Sequence, residues 1–100
     1  MKKINIGVYI NENGEYSLEF RNSYEIKDSL KDRGYKYYAP LRLWRICKAT
    51  STEVIEEIVS LYENHILTDI EDIRELVTLN PIMHDINDEQ CKRIFNALNN

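Results

Sequence analysis

The sequence predicts an α+β fold, with an antiparallel sheet in ββαββ order followed by three C-terminal α-helices. Two observations lead to this fold class. The first half of the chain alternates apolar and polar residues between turn signals, as half-buried strands do. The second half places apolar residues at helical spacing behind capping residues. One hundred residues support one core, so we predict a single domain over 1–100, with a sheet part at 1–48 and an acidic helical part at 49–100.

The first two strands are predicted over about residues 3–10 and 15–21. Ile6, Val8 and Ile10 alternate with polar or small residues, and the same period of two returns after the turn. The turn itself contains Asn13-Gly14, which tolerates the positive φ angles of tight hairpins. We therefore expect a β-hairpin.

A short helix over about residues 24–33 and a second hairpin follow. Asn22 or Ser23 is suited to cap the helix, and Glu25 stands three residues after Asn22, as a capping box requires. Gly34 is expected to end the helix in a left-handed conformation. Residues 35–38 and 41–48 are then rich in aromatic and branched side chains, with Pro40 expected at the turn or on an edge.

Three helices are predicted after residue 48, each with its own start signal. Thr50 and Thr68 each precede a glutamate by three residues and so open two capping boxes, and Asn87 caps the third helix. Asn80-Pro81 stops the second helix. The apolar residues expected to face inward are Val54, Ile55, Ile58, Val59, Leu61, Tyr62 and Ile66, then Ile70, Ile73, Leu76 and Val77, then Cys91, Ile94, Phe95 and Leu98.

The charges are divided sharply along the chain. Residues 21–48 contain eight basic and three acidic side chains, a net charge of +5, and residues 49–100 contain three basic and eleven acidic ones, a net charge of −8. The whole chain carries only −4. This division predicts two surfaces of opposite electrostatic character.

Several functional classes are disfavoured by what the sequence lacks. No apolar run reaches the ~20 residues of a membrane span, and no signal-peptide core follows Lys2, so we expect a cytoplasmic protein without a membrane partner. Cys47 and Cys91 are interpreted as small buried hydrophobes in a reducing compartment.

His65 and His84 have no partners at ligand spacing, which argues against a metal, and no cofactor is expected. No phosphate loop or nucleophile motif is present, so we predict that the chain is not an enzyme.

A signature in the middle of the chain resembles a small αββ domain of plasmid, phage and bacterial proteins. It runs aromatic, acid, any residue, Lys, Asp, then Lys, Gly, a basic residue and tryptophans. The residues that match it in register are Tyr24, Glu25, Lys27, Asp28, Lys31, Gly34, Lys36, Arg42 and Trp44. Tyr37 stands where the first Trp is expected, and Tyr38 replaces a small acid or amide. That domain often accompanies primase, TOPRIM or helicase modules and is loosely similar to the HARP domain, so the resemblance implies a nucleic-acid-related setting.

The basic stretch is one candidate binding surface, since single-strand binders combine cations for phosphates with aromatic rings for bases. The alternative is that Tyr35, Tyr37, Tyr38 and Trp44 are core residues and the cations form a solvated rim. The surface is expected to consist of Lys27, Lys31, Arg33, Lys36, Tyr38, Arg42 and Arg45.

The acidic helices are the other candidate surface, because an array of carboxylates can imitate a phosphate track and occupy a basic groove. Acids in first helical turns also have an ordinary explanation in the helix dipole. The residues concerned are Glu53, Glu56, Glu57, Glu63 and Asp72.

Two binding functions are therefore expected, and a structural role as a dimer is a third possibility. The first is a small phage or mobile-element protein that binds a nuclease or effector complex of a host defence system, in the manner of an anti-CRISPR. The alternative is a module that binds nucleic acid directly through residues 24–48. A dimer formed through the apolar strip of the last helix is the third reading.

Overall fold

The computed structural model describes residues 3–100, and it confirms an α+β fold with one antiparallel four-stranded sheet and four α-helices. Met1 and Lys2, at the start of the predicted domain, lie outside the described residues. The chain separates into two compact units at the bond between Ala49 and Thr50, close to the predicted division between sheet and helical parts. A single domain over both stays a prediction, and each unit is described by itself.

The first unit contains the sheet. Its strands are β1 (Asn5–Ile10), β2 (Tyr16–Arg21), β3 (Lys36–Tyr38) and β4 (Leu43–Lys48). Their spatial order is β1-β2-β4-β3, and every neighbouring pair is antiparallel. The last strand therefore inserts between β2 and β3, which makes β2 and β4 central and β1 and β3 the edges.

The β1–β2 turn is built by Asn11 and Gly14. The Asn11 side chain accepts hydrogen bonds from the backbone N–H groups of Asn13 and Glu15, at 2.9 and 3.0 Å. Gly14 has a φ of 75°, the left-handed conformation that glycine adopts at no steric cost. The predicted hairpin is thus confirmed, with its strands slightly shorter than the sequence suggested.

The register sorts the side chains of the sheet onto two faces. We call them the Leu18 face and the Glu19 face. Antiparallel partners share a face, and Leu18 lies opposite Val8 and Ile46 in the register. Glu19 lies opposite Gly7 and Arg45. Because Val8 and Leu18 are buried, the Leu18 face contains apolar core.

The helix between β2 and β3 is shorter than predicted, and its predicted capping box is wrong. A 3-10 turn at Tyr24–Ile26 leads into α1 (Lys27–Asp32). Asn22 has a φ of 54°, whereas an N-cap needs an extended backbone, and the side chain of Ser23 makes no cap hydrogen bond.

Gly34 ends this helix as predicted. It has a φ of 94°, and the N–H groups of Gly34 and Tyr35 donate to the carbonyls of Lys31 and Leu30, both at 3.0 Å. This is the Schellman pairing, which satisfies the last carbonyls of the helix.

The turn between β3 and β4 is a 3-10 turn at Ala39–Leu41 that contains Pro40, as expected. Proline has no N–H group to donate to a sheet, so it is tolerated in this turn, where no such hydrogen bond is needed. The next residue, Arg42, has a φ of 52°, a conformation that non-glycine residues adopt at a cost.

The second unit consists of α2 (Ser51–Glu63), α3 (Ile70–Leu79) and α4 (Asp88–Leu98), with a 3-10 turn at Pro81–Asp85 between the last two. All three predicted helices are therefore present. Among the residues expected to face inward, Ile66 lies beyond the end of α2, and Phe95 is exposed.

The helix caps confirm two predicted starts and correct one. Thr50 accepts from the N–H of Glu53 at 3.2 Å, and Asn87 forms a full capping box with Gln90. The second helix is capped by Asp69 and not by Thr68, since the Asp69 carboxylate accepts from the N–H of Glu71 at 2.9 Å. An aspartate adjacent to the threonine competes for the same orphan donors, and its charge favours it at a helix N-terminus.

One buried tyrosine joins α2 to the start of α3. The Tyr62 hydroxyl donates to the carbonyl of Asp69 at 2.7 Å and accepts from the N–H of Ile73 at 3.1 Å. These two backbone groups are the ones that a first-turn helical hydrogen bond would join. Burial, together with the negative charge of Asp72, raises the pKa of this hydroxyl well above its ordinary value, so it stays protonated and able to donate.

Within residues 3–100, the helices are too short or too polar to cross a membrane.

Candidate functional site

Three of the predicted basic and aromatic residues come together on the Glu19 face. The Arg45 guanidinium lies over the Tyr38 ring, with its carbon 4.6 Å from the ring centroid. Lys36 is the direct partner of Arg45 in the β3–β4 register. Tyr38 is 39% exposed and Lys36 is exposed. Two cations and a tyrosine therefore share one side of the β3 edge, an arrangement that we call the Arg45 cluster.

The Arg45 cluster is anchored by Glu19, which sequence reasoning did not select. Arg45 Nη2 lies 2.7 Å from Glu19 Oε2, and Arg45 Nε donates to the same oxygen at 2.8 Å. The Glu19 side chain is only 8% exposed. Burial lowers the pKa of Arg45, but the hydrogen bond and charge of Glu19 outweigh it and the pKa is raised. Glu19 therefore fixes the position of the Arg45 guanidinium through both Nε and Nη2.

The other aromatic residues of this stretch lie elsewhere. Tyr37 and Trp44 pair across β3 and β4 with ring centroids 5.2 Å apart, and the alternation of the strand places them on the Leu18 face. Tyr37 is 50% exposed, whereas Trp44 is half-buried. Tyr35 is buried and packs edge-on against Phe20 at 5.6 Å. The four rings therefore form no single stacking platform.

The remaining predicted cations lie before β3 or in the following turn. Lys27 sits 4.9 Å above the ring of Tyr24 and 3.4 Å from a carboxylate oxygen of Asp28. Lys31 is four residues later and so lies on the same side of α1. Arg33 is half-buried at the end of that helix, and Arg42 is exposed in its left-handed conformation.

Two of the predicted acidic residues are held by one arginine in the helical unit. Arg93 Nη1 donates to both carboxylate oxygens of Glu56, at 2.9 and 3.0 Å, and its Nη2 and Nε donate to Glu63 at 2.7 and 3.1 Å. Gln90 Nε2 also donates to Glu56 at 2.9 Å. We call this arrangement the Arg93 clamp, and it joins α2 to α4.

The Arg93 clamp shifts the acidity of both glutamates. Hydrogen bonds from Gln90 and then Arg93 lower the pKa of Glu56, and the hydrogen bond from Arg93 lowers the pKa of Glu63. Each carboxylate is stabilised in its charged form because its lone pairs are satisfied by donors. Much of their charge is accordingly balanced within the unit.

The five predicted acidic residues do not form one continuous exposed array. Glu57 and Asp72 are buried, and Glu56 and Glu63 belong to the Arg93 clamp. Glu53 is exposed in the first turn of α2, where the helix dipole favours a carboxylate. Other carboxylates of the unit that are exposed are Asp69, Glu71, Glu75, Asp85, Asp88 and Glu89.

The interpretation of both cysteines as buried hydrophobes is wrong. Cys47 is exposed and Cys91 is half-buried, and both are free thiols. The strand alternation explains Cys47: it lies on the Glu19 face, where its sulfur is 3.7 Å from the hydroxyl of Ser17. In residues 3–100, no group of His, Cys, Asp and Glu side chains is arranged to hold a metal ion.

Comparison of the chain with protein-family models, with curated proteins and with solved structures yields no match. The resemblance to the αββ domain of phage and plasmid proteins therefore stays a prediction.

Proposed function

We propose that this chain is a binding module that takes single-stranded nucleic acid on the Arg45 cluster. The observation that carries the proposal is the guanidinium of Arg45 lying over an exposed tyrosine with Lys36 at its side. Ammonium and guanidinium groups pair with phosphates, and an exposed tyrosine ring stacks on a base with a gain of about 1–3 kcal/mol. The Glu19 face therefore offers both the cations that pair with phosphates and a ring that can stack on a base.

The charge layout supports this proposal. A pI near 5.2 for the whole chain would disfavour nucleic-acid binding, for which a basic domain is typical. The compact unit that contains the sheet nevertheless ends at Ala49, just after the basic stretch 21–48 with its net charge of +5. The positive field is therefore concentrated in the unit that contains the Arg45 cluster.

The test compares two adjacent tyrosines on opposite faces of β3. Fluorescence anisotropy with labelled single-stranded DNA and RNA should show binding to the wild type that weakens steeply with salt, because each phosphate contact releases counterions. Tyr38→Ala and Lys36→Glu should weaken it by about tenfold or more, the loss of one stacked base or one phosphate contact. Tyr37→Ala is the matched control and should leave the affinity within about twofold, since Tyr37 lies on the other face.

Two results would refute the nucleic-acid proposal. One is the absence of binding to single strands and duplexes at low salt. The other is an equal loss from Tyr37→Ala and Tyr38→Ala, which would locate the effect in the stability of β3 and not in a surface.

A second function is supported by the exposed carboxylates of the helical unit. We propose as the alternative that they bind the basic nucleic-acid groove of a nuclease or effector complex and inhibit it, as anti-CRISPR proteins do. Glu53 and Glu89 are both exposed in first helical turns, on α2 and α4. The separation of eleven acids into one half of the chain is the observation that favours this reading.

Cleavage assays with purified CRISPR effector complexes test the alternative. Inhibition should be lost in the double variant Glu53→Lys with Glu89→Lys and should persist in Glu15→Lys with Asn13→Lys, a charge change in the other unit. A panel of effectors that all cleave normally in the presence of a large excess of the wild type would count against inhibition.

A further inference from the structure

The two edges of the sheet differ in how they are protected from pairing with another strand. β3 is three residues long and is followed by a turn that contains Pro40, and Lys36 begins it. Short strands, prolines and lysines are the features by which natural proteins protect an edge. β1 is twice as long and has none of them: the stretch from Ile4 to Asn11 is uncharged and contains no proline.

The backbone groups at the outer edge of β1 can be assigned from the turn. The N–H of Asn11 donates to the carbonyl of Glu15 at 2.8 Å, so Asn11 faces β2. Ladder direction alternates along an antiparallel strand, and Gly7 and Tyr9 therefore also face β2. Ile6, Val8 and Ile10 direct their N–H and C=O groups outward, and among the described residues β1 pairs with β2 only.

We propose that a second copy of this chain pairs antiparallel with β1, so that two four-stranded sheets become one sheet of eight strands. The charges at the two ends of the strand favour a copy in this orientation. Lys3 stands two residues before β1 and Glu12 two residues after it. In the antiparallel arrangement with Val8 opposite its own copy, Lys3 of one chain lies opposite Asn13 of the other, next to Glu12, so strand ends of opposite charge lie together, whereas parallel pairing would bring like charges together.

The outward groups also select a register. Pairing with Val8 opposite its own copy joins Ile6 of one chain to Ile10 of the other, so that three outward residues on each strand enter the new ladder. The same register places Gly7 opposite Tyr9 of the other copy. The Tyr9 ring already lies against Gly7, where an added Cβ would be 2.6 Å from ring atom Cε2. Because Gly7 has no side chain, the Tyr9 ring of its own chain covers it, and in this register Tyr9 of the other copy lies beside that ring.

The contact is small, so weak association is expected, with a dissociation constant of roughly 10 μM to 1 mM. Sedimentation equilibrium under reducing conditions, which exclude disulfides through Cys47, should show the mass rising with concentration from 11.9 kDa toward twice that value. A single 11.9 kDa species at every concentration up to about 1 mM would overturn the proposal.

Ile10→Lys and Leu41→Lys form a matched pair of variants, because both residues are apolar and more than half exposed. Lysine at the edge should raise the dissociation constant of the dimer by about tenfold or more, while lysine at Leu41 should leave it unchanged. Circular dichroism at the same concentrations confirms that both variants fold. Equal dimerisation by both variants would show that β1 is not the interface.

A charge exchange tests the orientation. Lys3→Glu and Glu12→Lys should each weaken the dimer, and the double variant should recover part of the loss, since the neighbouring strand ends then carry opposite charges again. Failure of the double variant to recover over either single one would overturn the antiparallel arrangement.

Amide hydrogen exchange of the wild type alone can locate the dimer interface. The amides of Ile6, Val8 and Ile10 should gain protection as concentration rises, while those of Gly7 and Tyr9 are already protected by β2. Protection gained elsewhere, such as on α4, would assign the dimer to another surface and refute the pairing of β1.

Discussion

Glu19 shows how the environment of one residue differs from what its type suggests. Glutamate is usually exposed, yet this one is nearly buried at the centre of the sheet, and its hydrogen-bonding partner is Arg45 on the neighbouring strand. The pair positions the guanidinium over Tyr38. A residue outside the predicted surface therefore determines the geometry of the cluster that we propose as the binding site.

Removing one member of this pair should destabilise the fold. Arg45→Met leaves a carboxylate with little solvent contact and without its partner, and we expect a loss of about 1–3 kcal/mol, below the range for a fully buried pair because Arg45 is partly exposed. Glu19→Gln combined with Arg45→Met should recover part of the loss. Urea denaturation measures the free energy of unfolding of the single and the double variant, with Lys36→Met as the control on the same face. A double variant less stable than Arg45→Met would contradict this account.

His65 occupies a position that favours glycine. It has a φ of 58° immediately after α2, and the N–H groups of His65 and Ile66 donate to the carbonyls of Tyr62 and Leu61 in a Schellman motif. Since a left-handed conformation costs a side-chain-bearing residue about 1 kcal/mol, His65→Gly should stabilise the protein by about 0.5–1 kcal/mol. Thermal denaturation of the wild type and the variant measures this gain in stability. Asn64→Gly, at a φ of −92°, should not stabilise, and equal gains from both would refute the conformational explanation.

At the level of elements, the helices of the second unit are joined by side chains as well as by apolar packing. Tyr62 connects α2 to α3, and the Arg93 clamp connects α2 to α4. Both connections start from α2, whose apolar residues Val54, Ile58 and Leu61 are almost fully buried. We infer that α2 organises the helical unit.

Tyr62→Phe tests the first connection. The variant keeps the ring but leaves the carbonyl of Asp69 and the N–H of Ile73 without the hydroxyl that they share. Each lost hydrogen bond costs about 0.5–1.5 kcal/mol, so we expect the two to cost about 1–3 kcal/mol in urea denaturation. Tyr24→Phe, at a highly exposed tyrosine, should change stability by less than about 0.5 kcal/mol. Equal effects of the two changes would show that the Tyr62 hydroxyl contributes nothing specific.

The Arg93 clamp predicts acid sensitivity. The pKa values of Glu56 and Glu63 lie below the ordinary value of 4.5 in the folded chain, so their contribution to stability is complete above about pH 4.5 and is lost as the pH falls through the lower folded pKa values. Stability measured against pH should therefore decline in this range, and Glu56→Gln with Glu63→Gln should decline less. Glu15→Gln, at an exposed carboxylate beside the β1–β2 turn, is the control. An unchanged acid slope in the double variant would be inconsistent with the clamp.

At the level of the whole molecule, the division of charge coincides closely with a division of structure. The basic stretch ends at Lys48 and the boundary of the compact units follows Ala49, so each sign of charge is concentrated on its own unit. The net charge of −4 describes neither unit. Because the two units carry net charges of opposite sign, two different binding functions are compatible with one small chain.

Elements whose signals are local follow from the order of the amino acids alone. The hairpin turn at Asn11–Gly14, the stop at Gly34 and the caps at Thr50 and Asn87 depend on residues within a few positions of one another, and all were predictable. Contacts between distant side chains depend instead on how the elements pack. Glu19 and Arg45 are 26 residues apart, and Arg93 is 30 and 37 residues from its two glutamates, so strand register and helix packing alone bring them together. Side chains alternate along a strand, so Tyr37 and Tyr38 lie on opposite faces in any register, and the β3–β4 register decided which face each one takes.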